Sequence, residues 1–160
     1  MNPGLTTTLI LPEPIAVACK PLFAAVPFES AMRRLAGSHA DHIELTEKVL
    51  NDPALKGRPD LAAGLWLYVD DLDRCHAICQ DLPDPTGAFW HGIMHRREGD
   101  YSNSHYWMRR AEGHPLLQLR PDLDPHRLVD DVSRGTDMPA LMERQRQEWK
   151  ALFEWCAANP

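Results

Sequence analysis

The sequence predicts an all-α fold whose short helices pair as antiparallel hairpins, and three observations carry that expectation. No stretch alternates apolar and polar residues over more than a few positions, so strands are not expected. Apolar residues recur at spacings of three and four, as on one face of a helix. Proline, glycine and aspartate punctuate the chain at intervals that suit helices of ordinary length.

Taken in order, residues 1–27 are expected to form an irregular arm packed across the helices. Their apolar run is broken by Pro12, Pro14 and Pro21 and carries Glu13 and Lys20. Met1 to Thr8 contains no basic side chain, so the charged start of a signal peptide is missing. A membrane span needs about 20 uninterrupted apolar residues, which the run does not supply. Residues 28–160 are read as one helical domain. Phe28 to Leu35 is expected as a short helix closed by Gly37. Ser38 is expected to cap the next, with Asp41 in the capping-box position and a stripe through Ile43, Thr46, Val49 and Leu50.

Asp60–Asp70 reads as a buried helix, and Leu72–Leu82 as its partner across an acidic turn. The break Leu82-Pro-Asp-Pro-Thr-Gly87 introduces a second pair, Ala88–Glu98 and Tyr101–Glu112, joined at Gly99-Asp100. Gly113-His114-Pro115 is a helix stop. Asp124-Pro125 caps a short helix that Gly135 closes. Asp137 and Pro139 open the last one, with Leu141, Trp149, Leu152, Phe153 and Cys156 facing inward.

Composition narrows the function. The chain carries 23 acidic against 17 basic residues, a net charge of −6. A general nucleic-acid binder needs a basic face to displace counterions, and this balance excludes one while leaving room for a local basic pocket. Cys19, Cys75, Cys79 and Cys156 show no disulfide framework and fit a reducing cytoplasm. Cys75 and Cys79, one turn apart, read as small buried apolar residues or as a soft-metal pair.

The segment Ala88–Ala111 resembles a tetratricopeptide repeat. Gly92 stands at the small position of the first helix, Gly99-Asp100-Tyr101 at the turn, and Ser104 and Ala111 at the small positions of the second helix, with Met108 between them. Residues 60–82 are a weaker copy in which Gly64 takes the place of Gly92. The resemblance spans about residues 60–115 and implies stacked hairpins that hold a protein or peptide partner. One departure bears on function. His91 and His95 occupy positions where the family usually has a leucine and an aromatic between the helices. Imidazoles there cost stability unless they find partners.

His91 and His95 are four residues apart and Glu98 follows three later, so all three share one helix face. His105 lies on the returning helix, His114 at its end and His76 on the preceding hairpin. Neutral imidazole with carboxylate suits zinc, iron, nickel or manganese. His91, His95, Glu98 and His105 are therefore the candidate ligands of a divalent metal such as zinc. The competing readings are hydrogen-bonded packing residues and metal-free acid–base chemistry. A zinc-protease motif is absent, because Gly92 stands where its glutamate would follow the first histidine.

Arg96, Arg97 and Arg109, with Tyr106, are the candidate residues for a small anionic ligand, since guanidinium pairs with carboxylate or phosphate; salt bridges to Glu98, Asp100 and Glu112 are the alternative use. Two functions follow. One is a binding or scaffold module for a protein or small anionic ligand. The other is a metal-dependent hydrolase or lyase acting on an anionic substrate. A histidine pocket sensing pH is a third. Trp149, Phe153 and Trp155 offer either a homodimer face or a cap on the hairpin stack.

Overall fold

A computed structural model describes residues 7–135 and 138–160. It is all-helical, with no strand among the described residues. The helices are α1 (Glu13–Ala25), α2 (Ile43–Leu50), α3 (Pro59–Tyr68), α4 (Leu72–Cys79), α5 (Pro85–Arg97), α6 (Tyr101–Ala111), α7 (Pro115–Leu119), α8 (Pro125–Arg134) and α9 (Met138–Ala158). Of these, α5 is the hub: it packs along α6 and also against α3 and α4, while α9 crosses α3, α7 and α8.

Aspartate starts four of these helices. Asp71, Asp84, Asp100 and Asp124 precede α4, α5, α6 and α8, and each accepts the backbone N–H three residues on. That bond satisfies one of the donors a helix start leaves open, and the carboxylate also suits the positive end of the helix dipole.

Several expectations need correction. The predicted irregular arm contains α1, because Ile15, Ala18, Cys19 and Leu22 form an i, i+3, i+4, i+7 stripe that is buried. Pro14 lies in the first turn, where a missing N–H costs nothing, and Pro21 is accommodated inside the helix. Residues 1–6 of that arm, and Asp137 as the opening of the last helix, lie outside the described residues. The helix expected over Phe28–Leu35 reduces to one 3₁₀ turn, Phe28–Ser30, followed by Met32 at φ 52°. Ser38 caps nothing: α2 starts after His42, which holds a left-handed conformation with its N–H on Asp41 Oδ1. Helix α4 ends three residues before Leu82, and α7 follows the stop at His114, whose Nδ1 accepts the Leu116 N–H.

The core gathers Phe89, Trp90, Trp149, Phe153 and the leucines of α3. Trp149 and Phe153 stack at 4.7 Å, and the Trp149 indole donates to Gly64 O at 2.8 Å. Close approach bears on three glycines: Gly87 against the Leu82 backbone, and two that lie between helices. A Cβ on Gly64 would fall 2.9 Å from both Phe153 and Trp90. One on Gly92 would fall 2.7 Å from Met108 Sδ, where α6 crosses α5 and Ser104 Oγ donates to Gly92 O. A satellite cluster of Leu35, Leu128, Val132 and Leu141 joins α8 to α9. No described helix is long and apolar enough to cross a membrane.

Candidate metal centre

Helix α5 is buried from Thr86 to Arg97. A helix enclosed on all sides is ordinarily apolar throughout, yet this one carries two histidines and two arginines in its last two turns. At 3.6 residues per turn, His91, His95 and Glu98 fall on one side and Arg96 and Arg97 on the other.

The arginines do not flank a binding mouth. Arg96 Nη1 donates to Glu148 Oε1 of α9 at 2.8 Å, with both side chains enclosed. Arg97 Nη1 donates to Leu67 O at 2.8 Å, and its Nη2 pairs with Asp70. Two of the three expected ligand-binding arginines are thus internal counter-ions, and their acids are not those expected from sequence. A buried guanidinium is tolerable only when paired in this way.

The histidine side of α5 is built differently. His91 is 3 % exposed and lies parallel to the Trp107 ring at 3.9 Å and to the His95 ring at 4.8 Å. His76 of α4 meets both rings edge-on, at 4.9 Å from His91 and 5.6 Å from His95. One ring nitrogen from each of His76, His91 and His95 lies within 4.8 Å of the other two. His95 Nδ1 donates to Glu98 Oε1 at 2.6 Å, which leaves Nε2 of that ring as a lone-pair donor. His91 Nδ1 is buried with no hydrogen-bond partner among the described residues. Burial, with His95 and His76 adding repulsion, lowers the His91 pKa to about 4, so the ring is neutral at neutral pH. A neutral imidazole is the form that binds a metal.

Tetrahedral zinc holds nitrogens at about 2.0–2.1 Å, which sets neighbouring ligand atoms about 3.3 Å apart. A closing of at most about 1.5 Å would bring the three rings onto one ion. Glu98 would then be placed to orient a ligating His95 through its other nitrogen, an arrangement common around bound metals. Glu98 and Asp100 also approach His95 closely enough to form a second, more exposed grouping.

Of the predicted ligands, His91 and His95 converge, with Glu98 behind His95, whereas His105 does not join them. It points to α8, where its Nδ1 contacts His126 and its Nε2 contacts Asp130. Tyr106 is 45 % exposed and carries Arg110 over its ring, and Arg109 is exposed. Of the consecutive pair Tyr106-Trp107, Trp107 is the one turned inward, against His91. Trp107 also helps line an open cavity of about 380 Å³ with Gln80, Ala88 and Arg110. Arg110 lies over Trp107 at 5.4 Å and is the basic group nearest this opening. Nothing in the spacing singled out Arg110 from Arg109, since the choice depends on how α6 is rotated against α5. Cys75 and Cys79 are buried with their sulfurs 3.5 Å apart.

In comparisons with known proteins, no family model, no curated protein and no solved structure matches the chain.

Proposed function

We propose that this protein binds a divalent transition metal through His76, His91 and His95. The observation that carries the reading is the unpartnered, buried Nδ1 of a neutral His91, set among two further imidazoles of which one is oriented by a carboxylate. A buried polar atom without a partner costs roughly 1–3 kcal/mol, and an ion that draws the three rings together would recover that cost.

Three protein ligands leave one position of a tetrahedral ion open, the pattern of catalytic rather than structural zinc. The opening lined by Trp107 and Arg110 lies on the far side of the Trp107 ring from His91, and a small anionic ligand would reach the ion from there only if that ring swung aside. A metal-dependent hydrolase or lyase is therefore the second reading, with an ion-bound water as nucleophile. The frame that presents the site is the α5–α6 hairpin that resembles a tetratricopeptide unit, supported by the close approach at Gly92 and the Gly99-Asp100 turn. The stacked arrangement of the two hairpins is part of the same proposal, and so is the holding of a protein partner by them.

The test is metal content after purification without an affinity tag or chelator, followed by cobalt titration read in the visible spectrum. One equivalent that disappears in both His91→Ala and His95→Ala, with the Glu98→Gln variant weakened about ten- to hundredfold, is the expected result. Binding unchanged in both histidine variants would return these rings to a packing role.

A further inference from the structure

A second pair of imidazoles stands apart from this centre, between α6 and α8. His105 Nδ1 and His126 Nδ1 face each other at 2.8 Å. The rings are parallel within 8° and their centroids are 5.1 Å apart, about as far as two ring radii and the N···N contact allow, so the rings are coplanar and meet head to head. The outer nitrogen of each ring is already committed. His105 Nε2 contacts Asp130 Oδ1 at 2.9 Å, and His126 Nε2 contacts Glu112 Oε1 at 3.2 Å.

A carboxylate accepts hydrogen bonds and does not donate them, so each Nε2 must carry the hydrogen. A neutral imidazole has only one, and both Nδ1 atoms are then bare lone pairs pointing at each other. Two such lone pairs repel unless a positive centre lies between them. His105 and His126 are each about one-quarter to one-third exposed, which leaves room for water to complete a coordination shell.

We propose that His105 and His126 form a second divalent-metal site, binding a zinc-class ion through their two Nδ1 atoms, with Asp130 and Glu112 as the orienting carboxylates. Tetrahedral ligation sets the two nitrogens about 3.3 Å apart, a widening of about half an ångström with a swivel of each ring. His126 sits in the first turn of the ten-residue helix α8, where such an adjustment disturbs little. The ion would tie α6 to α8 across the loop that carries α7, and so stabilise the folded chain by binding it preferentially. The site stands on different residues from the first, and its occupancy does not depend on that one.

The experiment is a zinc titration of the tag-free full chain against a chromophoric chelator, with thermal unfolding followed in parallel. The variants are His91→Ala, His105→Ala, His126→Ala and Asp130→Asn. The expected result is an equivalent of zinc that survives His91→Ala, is lost in both His105→Ala and His126→Ala, and weakens about ten- to hundredfold in Asp130→Asn. Zinc should also raise the melting temperature of His91→Ala but not of His91→Ala combined with His126→Ala. The exposure of His126 and Asp130 makes these variants the ones best able to keep the fold. Absence of any equivalent sensitive to His105 or His126 overturns the proposal and leaves a pair bridged by a proton alone.

Discussion

The two sides of α5 bury polar groups to a similar depth and treat them in opposite ways. On one side, each guanidinium has a charged partner, Arg96 with Glu148 and Arg97 with Asp70 as well as Leu67 O, although Arg96 Nε and Nη2 and Arg97 Nε are buried without a partner among the described residues. On the other, His91 keeps a buried nitrogen with no partner, and its charge is suppressed by burial and neighbouring imidazoles. Paired buried charge is a structural device, while a neutral buried imidazole beside two further imidazoles is the arrangement on which the proposed metal site rests. Stability and binding should therefore separate cleanly between the two sides.

The largest expected effect breaks the arginine side. Glu148→Ala strands Arg96 in the core and should cost about 3–5 kcal/mol in urea denaturation. Exchanging both residues for apolar ones of similar volume should cost much less. Equal losses from the single and double changes would mean that packing, not charge, governs this face.

Acidification should act on the histidine side of the metal-free protein. His91 titrates near 4 when folded and near 6.5 when unfolded, and His114, also lowered by burial, moves in the same direction. Between those values the unfolded chain holds more protons, so stability falls as pH falls. The His91 contribution approaches about 3 kcal/mol once pH reaches its folded value and below. Denaturation at pH 7.5 and pH 4.5 measures the drop, and His91→Leu should remove much of it.

Packing alone is calibrated by the two close-approach glycines that lie between helices, Gly64 and Gly92. Gly64→Ala drives a methyl into two enclosed aromatic rings and should cost about 1–3 kcal/mol. In Gly92→Ala the methyl meets the flexible Met108 side chain, and the gain in helix propensity of about 1 kcal/mol offsets much of the strain. Thermal melts of the two variants should differ accordingly.

The smallest effect sharpens the comparison most. His91→Leu should change the stability of the metal-free protein at pH 7.5 by less than about 1 kcal/mol, because it removes an unsatisfied group and keeps the volume roughly constant. A loss as large as that of Glu148→Ala would make His91 structural.

Much of this architecture was readable in the sequence because local rules govern it. The Asp124-Pro125 start, the Gly99-Asp100 turn and the inward faces of α3 and α9 follow from spacing and capping alone. The Asp84-Pro85 start of α5, by contrast, reads in the sequence as part of a break, with the helix expected only from Ala88. Helix α1 was hidden because three prolines weigh against a helix, while its buried stripe shows only when Ile15, Ala18, Cys19 and Leu22 are counted on a wheel. The His91, His95 and Glu98 face was legible for the same reason: one helix sets it. Where two elements must meet, spacing falls silent. It does not show that His76 rather than His105 completes the cluster, that Arg96 reaches 52 residues ahead to Glu148, or that His105 finds His126 on α8.

Helix α9 also completes a stretch of backbone that has no regular structure of its own. Gln145 donates to the carbonyls of Met32 and Arg34, and Arg146 donates to that of Ala31, across more than a hundred residues of chain. The same helix brings Glu148 to Arg96 and Trp149 to Gly64 O. During synthesis these partners emerge well after α5, Glu148 following Arg96 by 52 residues. Until then Arg96 has no counter-ion and the Ala31–Arg34 carbonyls have only water. A nascent chain of this protein must therefore wait, with Arg96 of its central helix unpaired, for translation to reach α9.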